Sequence, residues 1–138
     1  MGKKAIINVK SSISGDEEDL IEVVTPGKFY KTEEGFKVEY DETKISGMED
    51  THTIMIIREK SFDLIRIGST ETTMEFKKNH ESISLYKTPY GVMEICINTK
   101  KLEINMTDDG GTISTFYNLH IEGQQPLKTK LIVDIKAD

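Results

Sequence analysis

Gly110-Gly111-Thr112-Ile113-Ser114-Thr115-Phe116-Tyr117-Asn118-Leu119-His120-Ile121 and, beyond Gly123 to Pro126, Leu127-Lys128-Thr129-Lys130-Leu131-Ile132-Val133-Asp134-Ile135 decide the fold. In each run the odd-numbered residues suit a core and most of the even-numbered ones suit water, which is the period of a half-buried strand. Asp108-Asp109-Gly110-Gly111 precedes the first run and the Gly123 to Pro126 segment separates the two, both with turn chemistry. Connections this short join antiparallel neighbours.

Working outward, the same alternation fills the chain. Met93, Ile95 and Ile97 precede Lys100-Lys101, and Leu102, Ile104 and Met106 follow it, which reads as a hairpin. Ile54 to Arg58 and Phe62 to Ile67 flank Glu59-Lys60-Ser61 as another, and shorter strands are expected at Thr72 to Phe76 and Ser82 to Tyr86. Near the N-terminus Ala5, Ile7, Val9 and Ile13 alternate with polar residues up to a turn at Ser14-Gly15-Asp16. Leu20 to Thr25, interrupted by Pro26-Gly27, and Lys28 to Lys31 form a bent strand, followed by a turn at Glu34-Gly35 and by Phe36, Val38 and Tyr40. The longest polar gap, Asp41 to Thr51, is the loop whose length points to function or mobility.

These segments predict an all-β, antiparallel meander of about 8–10 strands with little or no helix, since hairpin-length turns leave no room for crossovers. Closing into a barrel hides the sheet edges. With 138 residues, a single domain spanning 1–138 is expected.

A formal charge of −6 argues against nucleic acid and anionic membrane surfaces as partners, because no basic face is segregated. Lys3, Lys4 and Lys10, like Lys128, Lys130 and Lys136, alternate with core positions and read as solvated strand faces. No stretch resembles a signal peptide or approaches membrane-spanning length, and Ile6 stands where a myristoylation signal needs Ser or Thr. A single cysteine, Cys96, fits a reducing compartment, so a cytoplasmic location is expected and the sequon at Asn105 goes unused.

The segments Tyr40-Asp41-Glu42-Thr43, Ile45-Ser46-Gly47-Met48-Glu49 with Thr51 and Thr53, Arg66-Ile67-Gly68, Met74 with Phe76, Tyr86-Lys87-Thr88-Pro89-Tyr90-Gly91, and Gly110-Gly111 followed by Tyr117 and Leu119 occur in order along the chain. Together they make the sequence resemble the YwiB-like family of bacterial proteins of unknown function. The resemblance implies a calycin-like, lipocalin-type barrel in the bacterial cytoplasm, and brings no activity, substrate or catalytic residue with it.

Catalytic chemistry finds no motif. His52, His80 and His120 lie on separate segments without metal-ligand spacing, and Phe116 stands where a calcium loop beginning at Asn105 needs Glu. Cys96 lacks a base or a second thiol and reads as a packing residue, and Asp16-Glu17-Glu18-Asp19 reads as a solvated turn. Neither a metal nor a cofactor is expected. The residues that invite a site are Arg66, Tyr40, Tyr86, Tyr90 and Tyr117, several at positions facing the barrel interior.

Arg66 carries the sharpest expectation. It shares a strand face with Phe62 and Leu64 while Asp63, Ile65 and Ile67 take the opposite one, so either a charge points inward or an otherwise apolar face points out. Arg66 is expected to be buried, with tyrosine hydroxyls or a carboxylate such as Glu42 as its partners. There it would bind the anionic end of a ligand. The function expected is therefore a non-catalytic module taking a small apolar or amphipathic ligand. The alternative is an assembly domain with a filled barrel, a possible homodimer through outward-facing Ile6, Phe116 and Ile132.

Overall fold

A computed structural model describes residues 2–13, 16–43, 49–121 and 123–137, with backbone alone for residues 13 and 16–19. Ten strands follow in chain order: β1 Lys3–Ile13, β2 Asp16–Lys31, β3 Gly35–Asp41, β4 Thr51–Arg58, β5 Ser61–Gly68, β6 Thr72–Lys77, β7 His80–Thr88, β8 Gly91–Thr107, β9 Gly110–Ile121 and β10 Leu127–Ala137. No helix occurs among the described residues. All ten strands share one antiparallel sheet in the order β6-β5-β4-β3-β2-β1-β10-β9-β8-β7.

That order describes a nearly closed barrel. The first and last strands pair along their length, from Ala5 with Ala137 to Ile13 with Thr129, so closure is achieved by the two ends of the sheet region. The break falls instead between β6 and β7, which follow one another in sequence through Lys78 and Asn79. Asn79, in the left-handed region at φ 60°, donates its amide to the Thr99 carbonyl of β8. The two edges are stitched by reciprocal backbone bonds between Glu71 and Lys87, 2.8 and 2.9 Å, and by Ser82 Oγ donating to the Glu75 carbonyl. A seam thus runs down one side of the wall.

Alternation sets the inside. Inward residues of β1, β3, β4, β5, β9 and β10 converge on one core that includes Ile7, Val38, Met55, Ile57, Ile113 and Val133. Four phenylalanines plug one end: Phe29 stacks on Phe36 at 5.2 Å, and Phe62 meets Phe76 edge-on at 5.4 Å. Tyr117 sits edge-on above Phe76 at 4.9 Å. Each buried aromatic ring removes more apolar area from water than an aliphatic side chain, and the edge-on pairs add to that.

The structure corrects several expectations. β8 is a single strand, and Lys100-Lys101 marks a register shift between Thr99 and Lys101, not a hairpin turn. One extra residue moves the inward set from Ile95, Ile97 and Thr99 to Leu102, Ile104 and Met106. The tight turn lies earlier, at Pro89-Tyr90 between β7 and β8. β2 runs unbroken through Pro26-Gly27 and begins at Asp16, so Asp16 to Asp19 open a strand instead of forming a turn. Ser14 and Gly15 of the expected turn, and 44–48 of the long polar loop, lie outside the described residues.

Candidate functional site

Above Phe76 and Tyr117 the walls no longer fill the barrel, and a cavity of about 270 Å³ opens toward the end carrying the β5–β6 and β7–β8 turns. Its wall is mostly apolar: Val9, Val23, Leu64, Met74, Ile95, Leu119, Ile121 and Leu131. Its polar lining is Ser11, Tyr40, Glu42, Arg66, Tyr86 and Tyr117. Volume of this order holds about nine waters, or a ligand of on the order of ten non-hydrogen atoms.

Arg66 points inward as its strand phase requires. Its side chain is only 16% exposed, and Nε lies 3.8 Å from Glu42 Oε2, itself on a side chain 3% exposed. Thr53 Oγ1 donates to the same Glu42 oxygen, and the Tyr40 phenol bonds that carboxylate too. Register explains the convergence: Tyr40 faces Thr53 across β3 and β4, Thr53 faces Arg66 across β4 and β5, and Glu42 continues the inward phase of Val38 and Tyr40. The buried carboxylate is thereby held by two hydroxyls and a guanidinium.

The guanidinium is less well held. Its further side-chain contact is a long one, Nη1 to Met74 Sδ at 4.0 Å, and Nε has no hydrogen-bond partner among the described residues. Thr72, the register partner of Arg66 on β6, buries a hydroxyl that is likewise unpartnered. Buried polar groups in this condition are uncommon in folded proteins. Arg66 and Thr72 also line a groove on the outside of the seam, with Ile65, Ile67, Ser84 and Leu85, so Arg66 is reached from both sides of the wall.

Burial, with the Glu42 carboxylate adding to it, drives the Tyr40 phenol well above its ordinary range, and Arg66 pulls the other way. Tyr117 is pushed up to about 12 by burial against the same opposition. Both phenols stay protonated at neutral pH and so carry a proton to donate. Tyr40 spends its proton on Glu42, whereas Tyr86 and Tyr117 have no hydrogen-bond partner among the described residues.

Four of the five residues expected at a site, Arg66, Tyr40, Tyr86 and Tyr117, line this cavity. Tyr90 does not. It is 99% exposed, because the β7–β8 turn ends the strand phase that would have carried it inward. Cys96 is on the outer face between inward Ile95 and Ile97, where burial and then a hydrogen bond to Glu81 raise its thiol above the ordinary range. It is therefore a wall residue and not a core one. His52 lies outside the barrel, 2.8 Å from Asp41 and 3.7 Å from Glu39. Among the described residues no group of three metal-ligating side chains forms, and no helix is long and apolar enough to cross a membrane.

The family model described as a domain of unknown function, DUF1934, matches residues 7–133. The uncharacterised β-barrel protein YwiB of Bacillus subtilis (strain 168) is 27% identical over 120 residues, covering 86% of this chain and 83% of the relative. The crystal structure of the Bacillus subtilis YwiB protein superposes with a TM-score of 0.85 at 21% identity, over 99% of this chain and 93% of that one. At that identity the superposition speaks for the barrel.

Proposed function

Since this chain belongs to the DUF1934 family, whose description assigns no activity, we propose a role from the barrel's own chemistry: a non-catalytic, lipocalin-like module that holds one small amphipathic molecule in its interior. The observation that carries this reading is an apolar cavity of about 270 Å³ with a guanidinium in its wall that donates to no protein oxygen among the described residues. Small-molecule sites combine these features, an apolar lining and a few convergent polar groups. A filled barrel would have spent them on itself. A cytoplasmic setting belongs to the reading, and a chain with one cysteine supports it.

The test is native mass spectrometry of the full chain purified from its own host. A retained small molecule, lost on mild activation, is the result expected. An apo monomer that also fails to take up any short-chain amphiphile removes the proposal.

A second reading, assembly through the outer wall, is favoured by one observation. Ile67, Ile83, Leu85 and Val92, all at least half exposed, gather on β5, β7 and β8 beside the seam. Ile6 and Phe116, outward as expected, lie elsewhere on the wall, and Phe116 is covered by the ammonium groups of Lys101 and Lys130. An apo dimer in the same spectrum favours this reading.

A further inference from the structure

We infer that the ligand of this cavity is a monocarboxylate, bound with its carboxylate on the Arg66 guanidinium at the seam and its apolar chain directed into the barrel. The inference rests on the cavity reading above and narrows it to a chemical class.

The polar inventory of the wall selects the head group. An acceptor is already in place, Glu42, but its carboxylate is engaged by Thr53 and Tyr40 and faces Arg66 Nε at 3.8 Å. What remains unspent is donor chemistry: the Arg66 guanidinium, whose Nε has no hydrogen-bond partner and whose Nη1 makes only the long contact to Met74 Sδ among the described residues, and the phenols of Tyr86 and Tyr117. A ligand that satisfies donors and offers none of its own is an anion or a carbonyl compound. The planar guanidinium fork matches a carboxylate in two parallel bonds, which a carbonyl cannot use.

Charge sets the limit. Glu42 already offsets Arg66, so one added negative charge meets one carboxylate at the far side of the guanidinium, whereas a phosphate dianion meets it with twice the repulsion. Position sets the orientation. Arg66 lines both the cavity and the seam groove, while Ile95, Leu119, Ile121 and Leu131 line the cavity alone. A carboxylate on Arg66 is therefore at the wall, with its chain pointing into the apolar interior.

The experiment titrates the full chain, stripped of bound lipid, with sodium octanoate and separately with 1-octanol, following tyrosine fluorescence and calorimetric heat. Octanoate should bind about tenfold or more tightly than octanol, and Arg66→Met should remove that advantage while leaving octanol unchanged. Arg66→Lys, which keeps charge but lacks the fork, should restore only part of it. Glu42→Gln should tighten octanoate several-fold and leave octanol alone.

If octanol binds and octanoate gains nothing over it, the carboxylate assignment is overturned and the cavity reading stands. If neither binds, the cavity reading itself falls. Should Arg66→Met not fold, Tyr117→Phe provides the second variant. It is expected to weaken octanoate several-fold without affecting octanol, and equal weakening of both overturns the assignment.

Discussion

Arg66 Nε lies 3.8 Å from Glu42 Oε2 inside the barrel wall, and the carboxylate of that pair is more deeply buried than the guanidinium. Removing Glu42 therefore strands a cation among core residues. Glu42→Ala should cost about 3 kcal/mol, and the double change with Arg66→Met should recover most of it. Urea unfolding of the four proteins in the cycle measures this. Equal Glu42→Ala costs with and without Arg66 would show the pair to be uncoupled.

Phe76 is fully buried, edge-on to both Phe62 and Tyr117, so it closes the aromatic plug and carries the cavity floor. Phe76→Ala should destabilise by about 3–5 kcal/mol and enlarge the cavity downward. Thermal unfolding reads the first effect. Uptake of a longer carboxylate than the parent accepts reads the second.

Raised phenol acidity constants give an alkaline limit to stability. Tyr117 titrates at about 12 in the fold and near its ordinary 10.0 when unfolded. Above pH 10 the unfolded chain releases this proton and the folded chain keeps it, so stability falls as pH rises from about 10 to about 12. The loss from this residue is about 2–3 kcal/mol over that window, with none below it. Tyr117→Phe should flatten the slope of unfolding free energy against pH there, and an unchanged slope would locate the alkaline sensitivity elsewhere.

Gly68 ends β5 at φ 135°, where a Cβ would lie 2.2 Å from the Asp50 carbonyl oxygen. Gly68→Ala should cost about 1–3 kcal/mol through backbone strain, and it displaces the strand end that carries Arg66. Cys96→Ser is the contrasting case, an outward and partly exposed position expected to change stability by less than about 1 kcal/mol. Chemical denaturation of both variants side by side tests the contrast.

The sheet was legible because period two survives in nearly every strand, even across Pro26-Gly27, where Val23, Thr25 and Phe29 keep the inward phase. The bulge near Lys100 was not. A register shift and a turn both reverse the phase of alternation, and only the partner strand distinguishes them. Arg66 could be expected inside because it shares the face of Phe62 and Leu64, but Ile65 and Ile67 gave the opposite face an apolar claim as well, and only the register with Thr53 and Thr72 decides between them. Glu42 was identifiable as one partner among several. Tyr90 shows where that method ends. Its spacing from Tyr86 gives the same face only if the strand continues, and Thr88 to Gly91 form the turn that stops it. Nor does any residue announce the seam, since β6 and β7 are joined by the kind of tight connection that ordinarily pairs strands.

The position of that seam bears on how the barrel assembles. Apart from the β1–β10 ladder, strands β1 to β6 pair with sequence neighbours, as do β7 to β10, so each set is a meander of local contacts that closes its ladders cheaply. The ladder between β1 and β10 joins residues as far apart as Ala5 and Ala137, and it carries the largest loop-closure cost in the molecule. Folding is thus expected to build two fans first and to dock them afterwards along their outermost strands. The rate of that docking, and not of hairpin formation, should set the rate at which a complete interior appears.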